Sequence, residues 1–189
     1  MPDEWRDFIK LERSARCIRD RAGEVVPGLL QSPLYARTIY RRADRGAPDQ
    51  RIEALVSART DRLRHLREGT ALCCVIDETI LRRPIGSVDV MIDQLEHLQR
   101  LCSDPLIQVN IVPYDAPGRP VVQGAFRVMT LDAGRQVAHV DHCLGESVVS
   151  RLEDVQQCLT WFGELQSEAL PPGASLDLID RIRRELSDG

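Results

Sequence analysis

A chain of 189 residues, 43% hydrophobic and 29% charged, is long enough to bury roughly 70% of its unfolded surface in one core without staples. Its net charge of -4 and isoelectric point of about 5.6 exclude the overall basic field of a free-standing nucleic-acid binder. It shows no signal-peptide pattern and no apolar run of about 20 residues. Its six cysteines include no CxxC pair, so a reduced cytoplasm is the expected setting and a membrane is not.

Trp5, Phe8, Leu11, Ala15 and Ile18 recur at three- and four-residue spacing, which predicts a first helix from about 3 to 21. Glu12 lies beside that apolar stripe, so its carboxylate must be paired or face a polar cavity; Arg16 is one turn away. Pro27 and Gly28 form a turn, Ser32 is placed to cap a helix and Pro33 to occupy its first position. After the break at Gly46 to Asp49, Ile52, Leu55, Val56, Arg59, Leu63 and Leu66 mark a third helix ending before Gly69.

Ala71 to Ile76 is short, continuously apolar and bounded by a glycine and an acidic pair, the pattern of a strand buried on both faces. Ser87 is placed to cap a helix with Val88, Met91, Leu95, Leu98 and Cys102 inward, and Asp104-Pro105 stops it. Leu106 to Val112 follows as a second strand, so the pair is expected to be parallel. Beyond a proline-rich surface loop, Ala125 to Leu131 and Gln136 to Cys143 flank Asp132-Ala133-Gly134-Arg135, which suits a hairpin with the glycine at a positive backbone angle. Helices near 152 to 169 and 175 to 187 close the chain, the last capped by Ser175, with Trp161 and Phe162 read as core. The expected fold is α+β in one domain over 1–189. N-terminal helices (1–68) pack on a small mixed sheet of a strand-helix-strand unit plus a hairpin, and two C-terminal helices complete the 70–189 part.

Two constellations carry chemistry. Alternation along the strand ending at 143 puts His139, Asp141 and Cys143 on one face, with His142 on the other. An imidazole beside a carboxylate can act as a base and a thiol as a nucleophile, so these three are the catalytic candidates if the chain is an enzyme. The same types ligate zinc, but i, i+2 positions rarely supply three ligands without help from elsewhere, and neither a metal nor a cofactor is assigned. The plain alternative is a polar strand face. Asp77, Glu78, Arg82 and Arg83 follow the first strand, at the edge where open sheets bind ligands; Arg82 or Arg83 could hold an anionic group and the acids an amine, or they form an internal salt bridge. Glu12, Gln31, Tyr35 and His142 complete the ligand-binding candidates. Cys73 and Cys74 are expected to behave as small apolar side chains.

The string Val26-Pro27-Gly28-Leu29-Leu30-Gln31-Ser32-Pro33-Leu34-Tyr35-Ala36-Arg37 resembles a segment of the C-terminal regulator domain of the Scr1-type, antitoxin-like transcription factors of actinobacteria. Phe8 to Glu12, Asp77-Glu78, Leu81 to Gly86, Gln94 to Leu98, Val109 to Tyr114 and Gly124 to Phe126 follow in the family's order, whereas His139 to Cys143 departs from it. Lys10 is the one lysine among 25 basic residues, a bias that agrees with a GC-rich actinobacterial source. The family's domain usually follows a helix-turn-helix, and none is read here. The resemblance implies a stand-alone effector-sensing or partner-binding domain with no direct nucleic-acid contact, taking a small molecule or a small antagonist protein encoded nearby. The rival expectation is a small-molecule enzyme of specialised metabolism, a hydrolase, cyclase or group transferase that reuses the same pocket.

Overall fold

A computed structural model describes residues 3–122, 124–142 and 145–188, without the side chains of 3–7 and 142. It is an α+β fold. One mixed sheet is built from β1 (Cys17–Arg21), β2 (Ala71–Asp77), β3 (Ile107–Val112), β4 (Phe126–Thr130), β5 (Gln136–His142) and β6 (Gly145–Val149), in the order β3-β2-β1-β4-β5-β6. Strands β1, β2 and β3 run parallel, while β4, β5 and β6 continue antiparallel from the other side of β1. The helices are α1 (Asp3–Ser14), α2 (Pro33–Ala43), α3 (Asp49–Thr60), α4 (Glu78–Arg82), α5 (Val88–Leu101), α6 (Leu152–Ser167) and α7 (Pro172–Ser187).

The first helix stops at Ser14, not near 21, because the chain enters the sheet: Arg16 N–H donates to the Thr130 carbonyl at 2.7 Å and its own carbonyl accepts from Ala71 N–H at 3.0 Å. Cys17–Arg21 is therefore a central strand, set among the helices of the N-terminal third. The apolar spacing runs across this break because Phe8, Ala15 and Ile18 all enter one core. Strand β6 and the short helix α4 are further elements that the sequence pattern did not announce.

Two apolar layers flank the sheet. Ile18, Leu72, Ile76, Val109, Ile111 and Met129 meet α5, α7 and the turn at Leu29 and Leu30 on one face, and Val75, Phe126, Val128 and Ala138 meet Val155, Cys158, Phe162 and Leu165 of α6 on the other. Ile52 and Val56 of α3 pack on Ala36 and Ala47 in a satellite cluster. Helix α3 ends at Thr60, and Leu63 and Leu66 reach the main core from a 3-10 turn and the residue after it. In α5 it is Val90 that faces inward, while Val88 is 49% exposed. Phe162 is buried, but Trp161 is 37% exposed on the outer side of α6.

Local chemistry places several boundaries. Ser32 caps α2 by accepting from Tyr35 N–H, with Pro33 at the first position. Ser87 sits at the start of α5 but makes no side-chain cap bond. The β4–β5 turn has Gly134 at φ +73°, and Ala133 is also left-handed at φ 54°.

Ser175 corrects the expected cap of the last helix, which starts three residues earlier, at Pro172. Ser175 lies inside the helix, fully buried, and its Oγ accepts from Ile111 N–H at 3.0 Å while donating to the Leu170 carbonyl at 3.1 Å. Leu170 N–H also donates to the Ile111 carbonyl at 2.8 Å, so the α6–α7 connection covers the free edge of β3. Ser175→Ala leaves Ile111 N–H without its acceptor and is expected to cost about 1–3 kcal/mol, seen as a lower urea midpoint with an unchanged slope.

Candidate functional site

A polar row crosses the sheet on the face below α1. Asp20 of β1 pairs in register with Arg127 of β4, and Arg127 pairs with His139 of β5. Strand alternation puts all three on that face. The Arg127 guanidinium is buried: Nε donates to Asp20 Oδ2 at 3.0 Å, a terminal nitrogen donates to the same oxygen, and the other donates to Glu12 Oε2 of α1. Burial by itself would pull the Arg127 pKa down, but the carboxylates of Asp20 and Glu12 outweigh it and raise it.

Glu12 is 1% exposed and accepts two bonds from Arg62, from Nε at 2.8 Å and from a terminal nitrogen at 2.5 Å. Its partners are therefore Arg62 and Arg127, and Arg16 instead binds Asp132. Burial would raise the Glu12 pKa, but the Arg62 hydrogen bond and the charges of Arg127 and Arg62 hold it below the usual 4.5.

His139 ends the row. Its ring, 5% exposed, lies 4.0 Å from the Phe8 ring at an interplanar angle of 30°. Nε2 is 2.9 Å from Glu146 Oε2 and Nδ1 is 3.5 Å from Asp141 Oδ1. Asp141 is opposite Glu146 in the β5–β6 register. The structure thus joins His139 to Asp141, as their spacing predicts, and adds Glu146. That residue was missed because β6 was missed; the one signal for it was the short Gly-Glu-Ser-Val-Val run after the hairpin. Cys143 and the His142 side chain lie outside the described residues. A cavity of about 210 Å³ adjoins the row and is lined by Phe8, Gln31, Arg59, Arg62, His139 and Glu146 among others.

A larger cleft, about 870 Å³, opens at the carboxyl ends of β1 and β2. It is where the sheet changes from parallel to antiparallel pairing, on either side of β1. Asp77, the last residue of β2, is 7% exposed. Its Oδ2 is 3.5 Å from Arg21 and its Oδ1 is 3.1 Å from Arg119, yet that Oδ1 is buried and accepts no hydrogen bond. Arg21 donates to the Gly124 carbonyl at 2.5 Å, and burial lowers its pKa. Asp20, Arg127 and Asp141 line both cavities.

The other candidates make contacts within the fold. Gln31 donates to the Val26 carbonyl at 2.7 Å and accepts from Arg59 at 2.8 Å, and it lines the small cavity. Tyr35 is fully buried with its hydroxyl 3.5 Å from Val26 N–H. Glu78 is buried, accepting from Arg82 at 2.6 Å and from Tyr114 N–H at 3.2 Å, and Arg82 also binds Glu185 at 2.7 Å. Neither Glu78 nor Arg82 lines the two cavities. Burial pushes the thiols of Cys73 and Cys74 up, and that of Cys102 to about 11, which disfavours the reactive thiolate.

The family model described as "Domain of unknown function (DUF5753)" matches residues 5–181. No curated protein and no solved structure matches the chain. Among the described residues, no helix is long and apolar enough to cross a membrane.

Glu12→Gln would leave two guanidiniums facing a neutral amide, and the loss expected for breaking a buried pair is about 3–5 kcal/mol. Because the folded pKa of Glu12 is depressed, its contribution is complete above the usual 4.5 and is lost as pH falls through the folded value. Urea unfolding across that acid range should therefore show the wild-type chain losing stability on acidification and Glu12→Gln losing less.

Proposed function

Since the chain belongs to the family of the Domain of unknown function (DUF5753) over residues 5–181, we propose that it is an effector-binding module whose ligand is a small polar molecule held in the cleft at the ends of β1 and β2. The observation that carries this reading is Asp77: a carboxylate oxygen buried at the cleft wall, beside Arg119 but out of hydrogen-bonding line with it. With the Arg119 charge beside it but no hydrogen bond, that oxygen keeps acceptor capacity that a ligand N–H or O–H would use. The cleft volume of about 870 Å³ is within the usual size of small-molecule sites. Its walls alternate in sign, with Asp20, Asp77 and Asp141 against Arg21, Arg83 and Arg119. That mixture suits a ligand carrying both donors and an anionic group better than a polyanion.

The resemblance to Scr1-type regulators supplies the output: ligand binding biases the cleft walls, and a small partner protein reads the change. DNA binding would belong to another segment or chain.

Native mass spectrometry of the purified chain, before and after incubation with small-molecule extract of its source organism, tests the reading. The wild-type chain should retain a small molecule. Asp77→Asn should weaken retention by about tenfold or more, the worth of one charge-assisted hydrogen bond. Arg119→Gln, on the cleft rim and 3.1 Å from Asp77, should weaken it as well. Retention of nothing, or equal retention by all three chains, overturns the assignment.

A further inference from the structure

We propose that His139, Asp141 and Glu146 form a binding site for one divalent first-row transition-metal ion, on the β5–β6 ribbon at the wall of the small cavity. One donor atom from each of the three residues lies within 4.8 Å of the other two. The ribbon fixes this grouping: His139 and Asp141 share a face two residues apart, and the antiparallel register puts Glu146 opposite Asp141. The i, i+2 pair on one strand needs a third donor from elsewhere, and β6 brings it.

The contacts of the imidazole ask for a cation. A neutral imidazole has one N–H and one lone pair. Here Nε2 faces Glu146 Oε2 at 2.9 Å and Nδ1 faces Asp141 Oδ1 at 3.5 Å. With one ring proton, one of these contacts is hydrogen-bonded and the other sets a lone pair against a carboxylate oxygen. Either a second proton or a metal ion relieves it.

The arginines nearby are committed elsewhere. Arg127 is held by Asp20 and Glu12, Arg62 binds Glu12, and Arg59, on the same cavity wall, donates to Gln31 while its charge faces Asp141 from a distance. Among the described residues, neither Asp141 nor Glu146 forms a direct ion pair with an arginine. The Phe8 ring holds the imidazole plane, which limits the ordering needed on binding. The Asp141 side chain is 60% exposed, free to rotate toward an ion at a bond length of about 2.0–2.2 Å.

The donor set selects the ion class. One nitrogen and two carboxylates are too few oxygens for calcium, which takes about 6–8. An imidazole with carboxylates suits zinc, cobalt, manganese or ferrous ions, with the remaining positions open to water or a ligand group.

Cobalt(II) is the probe, because its visible spectrum separates nitrogen and oxygen ligands from thiolates. Added to the chelator-stripped full chain near neutral pH, it should bind at one equivalent, giving weak d–d bands without a thiolate charge-transfer band. Glu146→Gln and Asp141→Asn, both at partly exposed positions, should fold with unchanged circular dichroism and bind at least about tenfold more weakly, the loss found even for an outer-shell partner. Failure of the wild-type chain to take up cobalt, a thiolate band, or uptake equal in the wild type and both variants overturns the site.

Discussion

The buried guanidinium of Arg127 is the contact on which the rest of the sheet depends. A charge at that depth is tolerated only with its partners in place, and those partners come from two distant elements, Asp20 on β1 and Glu12 on α1. Arg62, beyond the end of α3, joins through Glu12. Four segments are tied together by charges that alternate in sign. The pairing also sets register. A one-residue slip of β4 against β1 would turn Arg127 to the opposite face, among Val75, Val155 and Phe162, away from Asp20 and Glu12. Apolar residues at these positions could give equal stability but would not discriminate that slip so strongly.

The same network shapes the two cavities. Strand β1 is parallel to one neighbour and antiparallel to the other, so the ends of β1 and β2 meet the start of β4 and leave a cleft. Asp20, Arg127 and Asp141 face both the cleft and the smaller cavity beside His139. A ligand that draws Asp141 or Arg127 toward one cavity alters the charge facing the other. This shared wall is a physical route by which a binding event in the cleft would reach α1, whose Glu12 holds the far side of Arg127.

How much of this was legible in the sequence depended on the range of the interaction. The Ser32-Pro33 helix start, the parallel β2–α5–β3 unit and the β4–β5 hairpin follow from capping, periodicity and turn chemistry within a few residues. Strand β1 did not, because Cys-Ile-Arg-Asp-Arg has the composition of a solvent-facing helical stretch; its backbone partners on β2 and β4, and the Arg127 that binds Asp20, lie far along the chain. Glu12 was legible as a buried acid, but its partners are 50 and 115 positions away instead of one turn. Period-two alternation was enough to put His139 with Asp141. Glu146 needed the register of an edge strand whose short pattern alternates weakly.

That edge strand joins protection to chemistry. The free side of β3 is covered by the α6–α7 connection through Ser175 and Leu170, whereas among the described residues β6 ends the sheet on the other side. An open edge invites pairing with another chain, and a charge pointing inward from such a strand is one of the ways proteins discourage it. Glu146 is that charge, directed at His139 instead of at solvent. On its own face that carboxylate meets the imidazole, with His139 Nε2 2.9 Å from Glu146 Oε2. An inward carboxylate on β6 both discourages outward pairing and brings a third donor beside His139 and Asp141.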